Sequence, residues 1–148
     1  MIAECAEAVR IPVIGNGDIA SGRHVEEKMR ATKVRGLMIG RAAMSYPWIF
    51  REAREYLRTG RQPDPAPPSV RWQFILRHAR LALAADTRRD ERHVFMRLRS
   101  RLMAYSKGLP GGKQLRVRFT SVSSLAELED LAHGNMSQLE CGHPTPAS

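Results

Sequence analysis

The chain has 148 residues, with 24 Lys and Arg against 15 Asp and Glu and a formal net charge of +9. This excess favours an anionic partner such as nucleic acid, although net charge carries no information about fold. No apolar run is long enough to span a membrane, and the first residues lack the apolar core of a signal peptide. Cys5 and Cys141 lie far apart without metal-ligand spacing, which argues against a disulfide framework and a zinc site and favours a cytoplasmic protein.

Two short apolar runs that stop at glycine organise the first part of the chain. The first reads IPVIGNGD over 11–18, and the second reads GLMIGR over 36–41. Neither run alternates with polar residues, which is typical of buried parallel strands, and a helix-sized segment separates them. We therefore expect a strand–helix–strand unit whose terminal glycines let backbone N–H groups approach a phosphate. The alternative is that these glycines only form tight turns.

Capping and stop signals predict helices on both sides of the second run. Residues 2–10 have the apolar spacing of an amphipathic helix. Ser21 is expected to cap a helix that ends near Thr32. Pro47 suits the first position of a further helix, and Gly60 suits its end. Two buried parallel strands also need neighbours on both sides, so the pattern favours a piece of a larger sheet or barrel.

A change of composition divides the chain after residue 60. The segment 61–68 reads RQPDPAPP, and its four prolines predict an extended linker. Beyond it, 69–133 is predicted to be an all-helical domain, and 134–148 is predicted to be a disordered tail because it is rich in Gly, Pro, Ser and Thr. The expected helix caps in this domain are Ser69, Asp90 and Ser124.

The positive charge is concentrated in the helical part of the chain and its lead-in. Residues 51–118 contain 17 Lys and Arg against 6 Asp and Glu. Arg97 and Arg101 are four residues apart and share a helix face, whereas Arg99 lies on another face. A solvated face is the ordinary interpretation of such arginines, but the local excess of charge is also what an anionic partner such as nucleic acid would need. The five histidines have no metal-ligand spacing.

Several motifs, taken in order and spacing, resemble the carboxyl-terminal half of the flavin-dependent tRNA-dihydrouridine synthases. They are IPVIGNGDI, MIGRAA, PWIF and REYLRTG, followed by KGLPGGKQLR and SVSSLAEL. The resemblance covers about residues 2–132. It implies an α/β part followed by an all-α part. Residues 1–60 would contain strands seven and eight of an FMN-binding TIM-type (β/α)8 barrel, and 69–133 would bind tRNA.

The resemblance also implies roles for individual residues. In this family reduced FMN delivers hydride to a uracil ring, a cysteine protonates the neighbouring carbon, and NADPH reduces the flavin again. That cysteine belongs to the first six strands, which have no counterpart here. Cys5 is expected to be a small buried residue instead. The positions that match the family's FMN phosphate ligands are Asn16, Gly17, Asp18, Gly40 and Arg41, and the expected RNA contacts are Arg97, Arg99 and Arg101.

These expectations describe a fragment of an oxidoreductase that reduces uridine to dihydrouridine in tRNA with FMN and NADPH, and that is inactive alone. The sequence departs from the family where Arg-Lys-His usually stands, since it has Arg99, Ser100 and Arg101. Two alternatives remain open. One is a non-catalytic RNA-binding module, and the other is the end of another flavin-dependent barrel oxidoreductase. The basic helical domain argues against the latter, because a small substrate would not need it.

Overall fold

The structure, a computed structural model, describes the backbone of residues 2–141 and the side chains of residues 2–138. The described part is mostly helical and contains one small two-stranded sheet. The chain divides into two compact units, unit 1 (Met1–Pro65) and unit 2 (Ala66–Ser148). None of the helices found within residues 2–141 combines the length and the apolar character needed to cross a membrane.

Unit 1 contains a pair of parallel strands connected through a helix. Its elements in chain order are α1 (Ile2–Ala8), β1 (Ile14–Asn16), α2 (Gly22–Ala31), β2 (Gly36–Met38), α3 (Arg41–Ser45) and α4 (Ile49–Thr59). The strands pair in parallel, with Ile14 opposite Gly36 and Asn16 opposite Met38. The predicted strand–helix–strand unit is therefore confirmed, although α3 was not predicted.

Local signals set the helix ends in unit 1. The Ser21 hydroxyl accepts a hydrogen bond from the His24 N–H at 3.2 Å, so Ser21 is the predicted cap of α2. Helix α4 begins at Ile49, two residues after the expected Pro47. It ends as predicted at Gly60, whose φ of 69° is the left-handed conformation that closes many helices.

The expectation that both strands are buried is wrong for the described residues. Ile11 is 72% exposed, Ile14 is 61% exposed and Met38 is 50% exposed. The physical reason is that a two-stranded sheet has two open edges, and no other strand among the described residues covers them.

The expectation that Cys5 is a small buried residue is also wrong. Cys5 lies on α1, a helix with no buried residue, and its side chain is exposed.

The core of unit 1 is small and forms where α2 packs against α4. It consists of Ile19, Val25 and Ala53, with the partly buried Leu37 and Ile39 packed against them. Gly22 permits the close approach of the two helices, since a Cβ at this position would lie 2.4 Å from the Cβ of Tyr56. This contact fixes α2 and thereby the loop that connects it to β1.

Unit 2 is an all-helical unit with a large apolar core. Its elements are α5 (Pro68–Ala85), α6 (Glu91–Tyr105), α7 (Gly112–Phe119) and α8 (Leu125–Cys141). Helix α5 packs against α6 and α8, and α6 packs against α7. Trp72, Phe95 and Phe119 are 0% exposed at the centre of this core. The predicted helical pattern is thus present, with α7 as an additional helix after the LPGG turn.

The helix starts in unit 2 agree with two of the three predicted caps. The Asp90 Oδ1 accepts from the His93 N–H at 3.0 Å, which caps α6. The Ser124 hydroxyl accepts from the Glu127 N–H at 3.2 Å at the start of α8. The third prediction, a cap at Ser69, is wrong by two residues, because the cap position of α5 is Pro67 and the helix begins at Pro68.

A buried arginine connects the start of α5 to the end of α6. Arg71 is 5% exposed, and its guanidinium donates to the carbonyl oxygens of Tyr105 at 3.1 Å, Lys107 at 2.6 Å and Gly108 at 2.7 Å. Tyr105 is the last residue of α6, and Lys107 and Gly108 follow it, so these carbonyls lie where a helix leaves its acceptors without amide partners. Gly108, with a φ of 75°, turns the chain away at this point.

The prediction of a disordered tail from Gly134 is wrong as far as Cys141, because α8 continues through these residues. Two side chains explain the difference. The Asn135 Oδ1 accepts from the Trp72 Nε1–H at 2.8 Å, and its Nδ2 donates to the Pro110 carbonyl at 3.0 Å. Met136 packs against the core. These contacts outweigh the low helix propensity of glycine. The remaining part of the predicted tail, 142–148, lies outside the described residues.

Candidate cofactor and nucleic-acid sites

The five residues predicted to hold a phosphate lie at one end of the sheet in unit 1. Asn16 is the last residue of β1, and Gly17 and Asp18 follow it directly. Gly40 and Arg41 follow β2 after one intervening residue. Because the strands are parallel and Asn16 pairs with Met38, both sets leave the sheet at the same edge. The fold therefore brings together all five residues.

An ion pair joins the two strand ends. Arg41 Nη2 donates to Asp18 Oδ1, and the two side chains are 85% and 81% exposed. An exposed pair of this kind contributes at most about 1 kcal/mol to stability. The ion pair orients Arg41, because the Asp18 carboxylate holds the guanidinium beside the end of β1. Asp18 itself has a φ of 35°, which places the turn in an uncommon backbone conformation.

The backbone after β1 offers donors that could meet an anion. Gly17 has a φ of 148°, a conformation that residues with a side chain rarely adopt. Among the described residues, the N–H groups of Gly17 and Asp18 make no backbone hydrogen bond. Free N–H groups, a glycine that exposes them and a guanidinium form the donor set that binds phosphate. The residues present therefore fit the phosphate group of FMN.

Lys28 is a cationic residue near this loop that sequence reasoning missed. Its Nζ lies 3.9 Å from the position that a Cβ of residue 17 would take. The helical pattern placed Lys28 on the solvated face of α2, and the sequence contains no signal that its side chain is half-buried and reaches back toward β1. This ammonium increases the positive charge around the Gly17 turn.

The three predicted RNA-binding arginines lie in different environments on α6. Arg97 is exposed and its Nη1 lies 3.4 Å from Asp86 Oδ2. Arg101 is half-buried, and together with Arg97 it lines a cavity between α5 and α6. Arg99 is half-buried away from this cavity, and its Nε is buried without a hydrogen-bond partner. The structure thus brings Arg97 and Arg101 together and separates Arg99 from them.

The cavity between α5 and α6, here called the α5–α6 cavity, has a volume of about 560 Å³. Three arginines and a single carboxylate give it a positive character, and four aliphatic side chains give it an apolar floor. Its lining residues are His78, Ala82, Ala85, Asp86, Arg89, Val94, Arg97, Leu98 and Arg101.

His78 contributes an imidazole to this cavity. Its Nδ1 lies 2.8 Å from the Tyr105 hydroxyl, and the Tyr105 ring makes an edge-on contact with Phe74 at 5.5 Å between centroids. Burial lowers the pKa of His78, and the positive charge of Arg101 lowers it further. Burial raises the pKa of Tyr105. Sequence reasoning missed this pair because its members are on different helices.

Metal ligation has no support in the described residues, where no three His, Cys, Asp or Glu side chains are placed to hold an ion. The donors at the two candidate sites, N–H groups in one and arginines in both, are groups that recognise anions. The strands that carry the first site were predicted, but Arg41 begins α3, which was not predicted. Neither site uses Cys5.

Comparison with known proteins places the chain in a family. Residues 1–139 match the profile of the family described as Dihydrouridine synthase (Dus). Over 82% of its length the chain is 40% identical to tRNA-dihydrouridine synthase B of Pseudomonas putida. Over 98% of its length it is 34% identical to a probable tRNA-dihydrouridine synthase of Mycobacterium leprae. It spans 35% and 36% of these two relatives, about a third of each. The chain therefore belongs to the dihydrouridine synthase family.

Proposed function

We propose that this chain is the carboxyl-terminal portion of an oxidoreductase that uses FMN and NADPH to reduce uridine to dihydrouridine in tRNA. The observation that carries the proposal is the convergence of Asn16, Gly17, Asp18, Gly40 and Arg41 at one end of two parallel strands. The names of the relatives give the substrate class, since they are tRNA-dihydrouridine synthases. In this proposal β1 and β2 are strands seven and eight of a TIM-type barrel.

Within the proposed cofactor site each group has a distinct task. The Gly17 and Asp18 N–H groups would donate to phosphate oxygens, and the Arg41 guanidinium would supply charge-assisted hydrogen bonds. The Asp18 carboxylate would act indirectly by orienting Arg41. Bound FMN would supply the hydride chemistry. The residues of this chain bind one end of the cofactor and hold it in place.

The remaining barrel strands would come from outside this chain. The exposed apolar side chains of Ile11, Ile14 and Met38 support this, because they are the surfaces that neighbouring strands cover in a closed barrel. The isoalloxazine ring would rest on those strands as well. The chain alone should therefore lack activity and bind FMN weakly. A stoichiometric flavin absorbance in the purified 148-residue chain would contradict this division of the site.

Unit 2 would bind tRNA through backbone phosphates. The arginines proposed for these contacts are Arg97, Arg99 and Arg101, because they lie within the segment that holds the excess of positive charge. Guanidinium groups stay protonated at all physiological pH values and can grip phosphate oxygens with two hydrogen bonds. Each contact releases condensed cations from the RNA, so affinity falls as salt rises.

The test is filter binding of tRNA over a salt series with the triple variant R97A/R99A/R101A. We expect the salt dependence to become less steep: the negative slope of log affinity against log salt should become smaller in magnitude by about two to three units. The matched control is R23A/R30A/R58A, which removes the same charge from surface ion pairs of unit 1. Equal slopes for the two triple variants would contradict the assignment of RNA binding to α6.

One observation favours a second candidate, a non-catalytic RNA-binding module. Unit 2 has a large core of its own, whereas the candidate cofactor residues lie in a unit with a small core. Co-expression with the amino-terminal two-thirds of a related synthase distinguishes the two. Recovery of flavin binding and dihydrouridine formation supports the oxidoreductase, and tRNA binding without either supports the module.

A further inference from the structure

The α5–α6 cavity contains a cation without an anion of its own. Within the described residues Arg101 has no ion-pair partner, although it is half-buried. Asp86 is the single carboxylate of the cavity, and it already accepts from Arg89 at 2.7 Å and from Arg97 at 3.4 Å. A partly desolvated guanidinium without a counter-ion is costly to the protein, and an anionic ligand would offset this cost.

A hydrogen-bonding group, His78 of α5, lines the cavity together with Arg101 of α6. The Nδ1 of His78 is engaged by the Tyr105 hydroxyl at 2.8 Å, and among the described residues Nε2 has no partner. The apolar floor, formed by Ala82, Val94 and Leu98 together with Ala85, lowers the local dielectric and strengthens interactions between charges. The volume of about 560 Å³ lies within the range of small-ligand sites.

We propose that the α5–α6 cavity binds one backbone phosphate of RNA between Arg101 and His78, and that RNA binding is therefore linked to uptake of a proton by His78. The inference rests on the proposed RNA-binding function and specifies where and how one contact is made. A phosphodiester does not titrate near neutral pH, so the protonation change belongs to the protein. Arg101, Arg97 and Arg89 would surround the phosphate, and Asp86 would be the competing anion of the free state.

The direction of the linkage follows from the charges around His78. In the free protein, burial and the charge of Arg101 keep its pKa below the ordinary value, so the ring is neutral at pH 7. Asp86, Arg89 and Arg97 share its cavity. On α8, which also packs against α5, Glu129 is engaged by Arg80 at 2.6 Å. A bound phosphate favours the charged ring and raises its pKa. The affinity for RNA is then constant at pH values well above the pKa of His78 in the complex, and it rises as the pH falls through that pKa.

Four variants test the site in filter binding with tRNA at fixed salt. Arg101→Ala should weaken binding about tenfold, because it removes a charge-assisted contact. The matched control is Arg92→Ala, an exposed arginine of the same helix outside the cavity, which should weaken binding about twofold through general electrostatics. Asp86→Asn should tighten binding by removing the competing carboxylate. Thermal unfolding of each variant verifies that unit 2 remains folded.

The fourth variant, His78→Gln, separates the proton linkage from general RNA binding. Glutamine keeps a hydrogen-bond donor but has no titratable group in this range. We expect wild-type affinity to rise about threefold to tenfold between about pH 8 and about pH 5.5, and the rise to disappear in the variant. The His78 ring resonance, assigned by its absence in the variant, should titrate at higher pH when RNA is bound.

Three results would overturn the inference. Equal losses in Arg101→Ala and Arg92→Ala would remove the cavity from the RNA interface. A pH dependence that persists in His78→Gln would assign the proton to another group. In both cases steep salt dependence of wild-type binding would leave the proposed RNA-binding function intact. Failure of the wild-type chain to bind tRNA at low salt would overturn the function and the inference together.

Discussion

The two units of this chain differ in how completely they bury their apolar residues. In unit 2, fifteen buried hydrophobic residues form one cluster, with Trp72, Phe95 and Phe119 fully inaccessible to solvent. In unit 1 the cluster contains three buried residues, and the apolar side chains of the strands are largely exposed. Because burial of apolar area is the main stabilising contribution to folding, we expect unit 2 to fold alone. Among the described residues of unit 1, no further strand covers the two that pair.

This difference indicates how the two candidate sites depend on their surroundings. The α5–α6 cavity lies on helices that a complete core holds in place. The candidate phosphate-binding loops after β1 and β2 lie on a two-stranded sheet with open edges. A binding site is only as well ordered as the elements that carry it. We therefore expect RNA binding to survive in the isolated chain and cofactor binding to need additional strands.

The largest expected effect compares one apolar residue from each unit, a buried one in unit 2 and an exposed one in unit 1. Phe119→Ala should lower the free energy of unfolding of unit 2 by about 3–5 kcal/mol, because it leaves a cavity among fully buried neighbours. Ile14→Ala should cost less than about 0.5 kcal/mol, because Ile14 is 61% exposed. Urea unfolding measures both variants. The substitution Trp48→Phe in the background leaves Trp72, which lies in unit 2, as the only tryptophan that reports by fluorescence.

Equal losses for the two substitutions would contradict the contrast between the units. If Phe119→Ala does not fold, Phe119→Leu keeps the comparison measurable with a smaller cavity. Burial of Ile14 by a second copy of the chain would also raise its cost, so the oligomeric state is measured at the same protein concentration.

Amide hydrogen exchange should show the next largest difference. We expect the slowest amides of α5, α6 and α8 to be protected at least about a hundredfold more strongly than those of β1 and β2. The physical reason is that the amides on the open strand edges exchange without global unfolding. Mass spectrometry of peptides from the intact chain measures both regions in one sample. Uniform protection of residues 11–39 in a monomer would show that unit 1 needs no further strands.

The smallest effect concerns a helix cap in the stable unit. Asp90→Ala should lower the stability of unit 2 by about 1 kcal/mol, because the His93 N–H loses its side-chain acceptor. Asp90→Asn is the matched control, since asparagine also caps helices well. Urea unfolding reported by Trp72 measures both variants. A loss with Asp90→Asn equal to that with alanine would assign the effect to the charge and not to the cap.

The features that the sequence determined by itself are those encoded within a few residues. The caps at Ser21 and Asp90 and the stop at Gly60 depend on hydrogen bonds and backbone conformations that close over one helical turn. The parallel strand pair follows from two apolar runs separated by one helix. Because parallel strands end at the same sheet edge, the pattern also placed the five phosphate-binding candidates together.

Other features depended on contacts between residues far apart in the chain, and only the tertiary structure decided them. Helix α8 continues past Gly134 because Asn135 meets Trp72, 63 positions away. His78 becomes a candidate phosphate ligand because Tyr105, on the next helix, engages its Nδ1 and Arg101 lies nearby. The apolar strands remain exposed because burial needs neighbours, and no local pattern of residues can report whether those neighbours are present.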